Sequence, residues 1–362
     1  MSTIEVRKIT KRFGAFVAVR DADLSVAAGE VVCLLGPSGC GKTTTLRMIA
    51  GLEQVTSGDI IIGGQRMNDL APEKREIAMV FQFYALYPAL SVGENIAMPL
   101  HYEKLPKADR DAQVMRVAKI LHLTEVLDRM PGQVSEGEKQ RVAVARAIVR
   151  DPNCFLFDEP LSRLDVELRQ TMRGQIKEVL SNLSKATVIV THDQLEALTM
   201  ADRIAIMRDG IIEQIGTPHD VFAKPANVFV ASFIGTPQMN LVKGKLEGVT
   251  GGKARVQFGG EKVDLDVNPA VAKLKPSQIT IGIRPRAFTP VEKGTKDTIV
   301  ATAELIEPMG AETLIHARTP DESDIRVVVP REVRIKIGET LHLRADPAQT
   351  HVFGDDGKAV RA

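Results

Sequence analysis

The chain has 362 residues, a length that suits two domains. Its 44% hydrophobic and 26% charged content is ordinary for a globular protein, and a formal net charge of +1 supplies no long-range field for nucleic acid or an anionic membrane surface. No apolar run approaches the roughly 18 residues that span a bilayer, and Met1 to Val6 lack the charged and apolar regions of a signal peptide.

Cys33, Cys40 and Cys154 have no metal-ligand spacing and suit small buried positions in a reducing cytosol. Ile4, Val6 and Ile9 are separated by polar residues, as in a half-buried strand. The turn Lys11-Arg12-Phe13-Gly14-Ala15 carries a ring that either stacks on a purine base or joins the core, and Phe16-Val17-Ala18-Val19 follows it. Val31-Val32-Cys33-Leu34-Leu35 reads as a buried parallel strand. It leads into Gly36-Pro37-Ser38-Gly39-Cys40-Gly41-Lys42-Thr43-Thr44, which fits the phosphate-cradling pattern G-x-x-x-x-G-K-S/T, and a helix is expected from Thr43 to Ala50. In that strand–loop–helix context the glycines turn consecutive N–H groups onto a polyphosphate at the positive end of the helix. Lys42 then reaches the β- and γ-phosphates, and the Thr43 hydroxyl is placed to ligate Mg²⁺.

Gly51-Leu52 ends the helix, Ser57-Gly58-Asp59 starts a strand through Ile62, and Ile77 to Phe81 forms another strand ending at Gln82. Phe83-Tyr84-Ala85-Leu86-Tyr87-Pro88 holds two of the three tyrosines in a chain without tryptophan. It is either a contact surface or a satellite hydrophobic cluster. Lys107 to Leu123 reads as an amphipathic helix with Ala108, Ala112, Met115, Ala118 and Leu121 on one face. Val134-Ser135-Glu136-Gly137-Glu138 precedes a helix that runs through Gln140 to Arg150. Cys154-Phe155-Leu156-Phe157 is a buried strand ending in Asp158-Glu159-Pro160. A long helix from Val166 to Leu183 and a buried strand from Thr187 to Thr191 follow, with His192-Asp193 at its carboxyl end. Strands alternating with helices indicate a largely parallel α/β sheet. Around Thr236-Pro237 the pattern changes to short period-2 strands between Gly and Pro turns, among them Gly259-Gly260 and Lys275-Pro276. The expected division is therefore an α/β domain over residues 1–235 and an all-β barrel or sandwich over 236–362 that lacks a catalytic constellation.

Open α/β sheets place ligands at the carboxyl ends of their strands. Asp158 is placed there to hold Mg²⁺, Glu159 to polarise an attacking water, and His192 to meet a γ-phosphate. Gln82 ends a further strand and reaches the metal or the water.

Together these pieces resemble an ATP-binding-cassette (ABC) ATPase, in detail the ATPase subunit of a carbohydrate importer of the maltose or glycerol-phosphate type. The matches are Phe13, the P-loop, Phe81-Gln82, Tyr84 to Pro88, Glu94-Asn95-Ile96-Ala97 and the signature segment Ser135 to Ala147. Phe157 to Pro160, Leu161-Ser162-Arg163-Leu164-Asp165, Thr191 to Gln194 and Gly282-Ile283-Arg284-Pro285 complete them. The resemblance implies a P-loop NTPase domain with an OB-like regulatory domain, ATP and Mg²⁺ as ligands, and Glu159, His192 and Gln82 as catalytic residues. It implies that Phe13 stacks on adenine beside Val19, that Gly36 to Thr44 hold the phosphates, and that Thr43, Gln82 and Asp158 serve the metal. Ser135, Gly137 and Glu138 would complete the site across a head-to-tail homodimer. The Gln82–Pro88 region would receive two separate permease subunits fed by an extracytoplasmic binding protein, with the ATPase peripheral on the cytoplasmic face of the inner membrane. Importers of iron, polyamines or molybdate and non-transport ABC ATPases are the alternatives. Nucleic acid is not expected as a partner. The usual signature Leu-Ser-Gly-Gly-Gln is here Val134-Ser135-Glu136-Gly137-Glu138, and Arg163, Phe83 and Ala89 also depart from the pattern. If Glu136 and Glu138 face the phosphates they oppose ATP closure by Coulomb repulsion; facing solvent, the favoured arrangement, they do not.

Overall fold

Apolar runs without alternation fit only strands covered on both faces. In the computed structural model, which describes residues 3–103, 105–162, 164–250, 253–258, 261–266, 270–271 and 278–361, three such runs are wholly buried strands. Arg163, Val267 and the expected turns Gly259-Gly260 and Lys275-Pro276 lie outside the described residues. The chain divides into two compact units, Met1–Pro218 and His219–Ala362.

The first unit begins with the hairpin β1 (Ile4–Phe13) and β2 (Phe16–Val26), then β3 (Val31–Leu35), α1 (Lys42–Ala50), β4 (Ser57–Ile62), β5 (Gln65–Arg66) and β6 (Ile77–Val80). Next come α2 (Val92–Ala97), α3 (Lys107–Ile120), α4 (Glu136–Ile148), β7 (Cys154–Asp158) and α5 (Val166–Leu183). It closes with β8 (Ala186–Thr191), α6 (Gln194–Met200), β9 (Arg203–Arg208) and β10 (Ile211–Gly216). One sheet has the order β10-β9-β3-β8-β7-β6, parallel throughout except for the β10–β9 pair. A second, antiparallel sheet runs β2-β1-β4-β5. Leu46, Met48 and Ile49 of α1 join Ile4, Val6 and Ile60 of one sheet and Leu34, Leu156 and Val188 of the other in a single core. The P-loop helix is thereby clamped between two sheets.

The buried stripe of α3 is Val114, Val117 and Ala118, with Leu121 beyond its end. Ala108, Ala112 and Met115 face solvent, so the face read from the sequence is rotated. Two valines bury more apolar area than the alanines and win the core side. The helix stops at Ile120, where His122 takes a left-handed backbone (φ 52°).

The second unit carries α7 (Pro218–Ala223), α8 (Val228–Phe233), β11 (Asn240–Thr250), β12 (Lys253–Phe258), β13 (Glu261–Asp266) and β14 (Gln278–Ile283). It continues through β15 (Phe288–Val291), β16 (Ile299–Pro308), β17 (Glu312–Arg318), β18 (Asp324–Pro330), β19 (Thr340–Ala345) and β20 (Thr350–Phe353). Two five-stranded antiparallel sheets, β13-β12-β11-β14-β20 and β15-β19-β16-β17-β18, share one core. Asn240, nearly fully buried, stitches them: its Nδ2 donates to the Ile283 and Arg326 carbonyls (3.1 and 2.8 Å) and its Oδ1 accepts from Arg326 N (2.7 Å). This unit starts ahead of residue 236 because Arg284 donates to the carbonyls of Ile234 and Phe222 and lies 4.0 Å over the Phe222 ring. Those contacts tie the α7–α8 segment to the β-sheets.

Candidate active site

Four adjacent parallel strands, β3, β8, β7 and the edge strand β6, end level with one another. Leu35 pairs with Thr191, Asp158 with Val190, and Val80 with Phe157. Along the carboxyl edge the order is therefore the P-loop, the His192 turn, Asp158-Glu159 and Gln82.

The P-loop path is dictated by contacts that exclude larger residues. A Cβ on Gly36 would stand 2.3 Å from the Met207 carbonyl oxygen, and Gly41 adopts φ 103° at the N-terminus of α1. Val19 is fully buried, and its Cγ2 would lie 3.2 Å from a Cβ on Gly41, so it supports the loop from behind. Lys42 is only 5% exposed and donates through Nζ to the carbonyls of Gly36 (2.8 Å) and Pro37 (2.9 Å). Ser38 and Gly39 are exposed at the tip of the loop, and Cys40 is buried under it. Thr44 follows Thr43 in the first turn of α1.

Thr43 Oγ1 donates to Asp158 Oδ1 at 3.0 Å. Burial, and to a lesser extent the neighbouring Glu159, raises the Asp158 carboxyl above its ordinary range, while the Thr43 bond opposes the shift. A buried carboxylate bonded to a hydroxyl is a hard-oxygen donor pair of the kind Mg²⁺ takes together with phosphate oxygens. Glu159 occupies left-handed backbone space (φ 48°), an uncommon conformation for a residue with a side chain. Its Oε1 lies 3.1 Å from His192 Nδ1, and its Oε2 accepts from Gln82 Nε2 at 3.2 Å. Ser162 Oγ, 3.4 Å from the same amide, donates to the Glu159 carbonyl. The structure thus brings Gln82, Asp158, Glu159, His192, Lys42 and Thr43 to one edge.

Phe13 ends β1 with 48% of its surface exposed and Lys11 Nζ 4.8 Å above its ring, so it is not a core residue. Ser135 caps α4 and forms a reciprocal box with Glu138: Ser135 N and Oγ donate to Glu138 Oε2 (2.7 and 2.8 Å), and Glu138 N donates to Ser135 Oγ. These bonds, the backbone one foremost, hold the Glu138 carboxyl below its ordinary range. Glu136 pairs with Lys139 at 2.6 Å and is half exposed. Gly137 is buried against Leu168. One of the two unusual acids therefore does the work of a helix cap and the other points outward.

The aromatic loop is a surface: Phe81, Phe83 and Tyr87 are 41%, 61% and 46% exposed. Its backbone is held by Arg146, which donates to the Tyr84 and Ala85 carbonyls (2.7 and 2.6 Å), and by buried Asn95, which bonds both Tyr87 N and Tyr87 O. Sequence reading gave neither Arg146 nor Asn95 this task; both are contacts across tens of residues or through a loop, invisible to periodicity.

Family comparison matches residues 19–162 to the ABC transporter model, 235–288 to the MalK OB fold domain and 281–353 to the TOBE domain. The chain is 43% identical to an sn-glycerol-3-phosphate import ATP-binding protein (UgpC 2) of Agrobacterium fabrum, covering 98% of this chain and 93% of that protein. It is 41% identical to the trehalose import ATP-binding protein SugC of Mycobacterium tuberculosis, covering 99% and 98%. Among solved structures, it resembles the dimeric post-hydrolysis state of the ATP-binding cassette MJ0796 bound to ADP and Pi, with a TM-score of 0.54 and 30% identity over 59% of this chain and 98% of that one.

Proposed function

We propose, for a chain that belongs to the ABC transporter family and is an ATPase of its importer type, that ATP hydrolysis at the sheet edge drives uptake of a sugar or a glycerol-phosphate-like solute through separate permease subunits. The observation that carries this reading is the convergence of Lys42, Thr43, Asp158, Glu159, Gln82 and His192 on level strand ends. The names of the 41–43% identical relatives support the solute class. The MalK OB match starting at residue 235 supports a functional division into a nucleotide-binding domain, 1–235, and a regulatory domain, 236–362.

The P-loop amides and Lys42 hold the β- and γ-phosphates, and Phe13 takes the adenine. Thr43, Asp158 and Gln82 would hold Mg²⁺, which would supply charge neutralisation to the bound polyphosphate. Glu159 accepts a proton as water forms its bond to the γ-phosphorus, while the bond to the ADP oxygen breaks. Gln82 Nε2 fixes one Glu159 oxygen and His192 the other, leaving the carboxylate aimed rather than free. Ser135, Gly137 and Glu138 face the nucleotide of a second copy, so the working unit is a homodimer. That dimer sits at the cytoplasmic face of the membrane; no helix among the described residues is long and apolar enough to cross it. The exposed rings of the Gln82–Pro88 loop receive the permease.

The test is Glu159→Gln in the chain co-purified with its permease subunits and assayed with candidate binding-protein–ligand pairs. Turnover should fall by about 10³-fold with ATP binding retained. Full turnover in that variant would remove Glu159 as the base, and no stimulation by any carbohydrate-loaded binding protein would remove the solute class.

A further inference from the structure

Two turns set the distance between Glu159 and His192, one following β7 and one following β8. A single side chain binds both. Arg169, one turn into α5, donates through Nη2 to the Leu164 carbonyl (3.0 Å) and through Nη1 to Asp193 Oδ2 (3.2 Å). Asp193 spends its other oxygen on the first amides of α6, accepting from Leu195 N (2.8 Å) and Glu196 N (3.2 Å). Its own N–H donates to Thr191 Oγ1 (3.0 Å), whose hydroxyl donates to buried Glu196 Oε2 (2.6 Å). Both neighbours of His192 are thus tied down, whereas the imidazole itself is 55% exposed and meets Glu159 at 3.1 Å. We propose that Arg169 is a positioning residue for His192, holding the turn that carries it against the turn that follows Glu159.

Arg169 and Asp193 side chains are 26% and 23% exposed, and Arg169 Nε also stands 4.0 Å from the buried Glu196 carboxylate, so part of its contribution is to stability, which Tm reads separately from turnover. A misplacement of about 1 Å at a reacting group, by contrast, costs up to about 100-fold in rate. The guanidinium suits the task because its rigid planar fork presents two separate N–H groups to a carbonyl and a carboxylate, whereas a lysine ammonium would have to serve both from one nitrogen on a flexible stem. The inference rests on His192 acting at the terminal phosphate.

The experiment measures ATPase kcat and KM, fluorescent-ATP affinity and Tm for the full chain carrying Arg169→Ala, Arg169→Lys, Asp193→Asn, His192→Ala and the Arg169→Ala/His192→Ala pair. Expected are a fall in kcat of about 10- to 100-fold in Arg169→Ala with KM and affinity within about twofold, and partial recovery in Arg169→Lys. Asp193→Asn, which keeps an oxygen for the α6 cap, should lose kcat in the same direction and covers the case of a poorly folded Arg169→Ala. In the His192→Ala background the arginine change should add nothing. The proposal is overturned if Arg169→Ala keeps the parental kcat while His192→Ala does not, or if its loss is equal in both backgrounds. Parental turnover in His192→Ala would instead overturn the role of His192 itself.

Discussion

Replacing Arg75 with methionine should loosen the helix that carries Lys42 and Thr43. The guanidinium is 3% exposed and donates through Nη1 to the Met48 and Ile49 carbonyls (2.9 Å each) and through Nε to Leu70 O (3.0 Å). It thereby satisfies the last turn of α1, where the dipole also favours a cation. Met48 O keeps the Gly51 amide at 3.1 Å, so the loss falls on the Ile49 and Leu70 carbonyls. Two buried acceptors at about 1–3 kcal/mol each give roughly 2–6 kcal/mol. Relief of the buried charge, whose desolvation lowers the Arg75 pKa, brings the expected net loss to about 3 kcal/mol. For a unit of this size each kcal/mol moves Tm by about 2–4 °C, so calorimetry should show a fall of roughly 6–12 °C. Arg75→Lys, which can reach one carbonyl but not three, should fall between. Saturating ATP should still raise Tm of Arg75→Met, since the loop itself is untouched. A Tm within about 2 °C of the parent would refute the reasoning, because the three bonds would then contribute no net stability.

Three further outcomes follow from other parts of the molecule. Gly36→Ala drives a Cβ to 2.3 Å from a backbone oxygen, and equilibrium dialysis should show ATP binding weakened by more than about 100-fold, a loss of roughly 3 kcal/mol. Glu138→Gln keeps an acceptor for the Ser135 box and should leave Tm unchanged, whereas Glu138→Ala should lose about 1 kcal/mol; if the charge at Glu138 opposes closure, the Gln variant will also dimerise at lower ATP in light scattering. Burial, with Arg284 and Arg361 nearby, lowers the His351 pKa from 6.5 to about 4. The folded state then binds fewer protons than the unfolded one, so stability is complete above pH 6.5 and declines as pH falls toward 4; a urea series over that window should show the decline, and His351→Gln should flatten it.

Much of the site was legible because its signals are local. The P-loop, the apolar run into Asp158-Glu159 and the run into His192 each state strand, end and chemistry within about ten residues. What the residues alone left open was settled by packing. Phe13 could have been core, and only its place at the tip of a hairpin exposes it. The Ser135-x-x-Glu138 spacing is itself a capping-box signature, so the orientation of Glu138 could have been read from the sequence. The α3 face was misjudged because alanine fits either side of a helix and valine does not. β11, β15 and β20 went unread: β11 is broken up by Gly244 and Gly248, and β15 and β20 are four residues each. The bonds of Arg146 to the aromatic loop, of Arg169 to Asp193 and of Arg75 to the end of α1 join segments far apart in sequence, which no window can see.

The strand order bears on how the protein is made. β8 lies between β3 and β7, yet it is synthesised after both, and β9, the other neighbour of β3, comes later still. Until Thr191 has left the ribosome, β3 has no parallel partner on either side and β7 is bare on one, and β3 keeps one open side until Arg208 has followed, each an open edge able to recruit a foreign strand. The nascent chain therefore carries its phosphate loop for most of the synthesis of this unit without a sheet to hold it. Fragments ending before β8 should be insoluble or chaperone-bound rather than weak nucleotide binders, and ATP cannot rescue them, because the surface it would stabilise does not exist until the middle strand slides in.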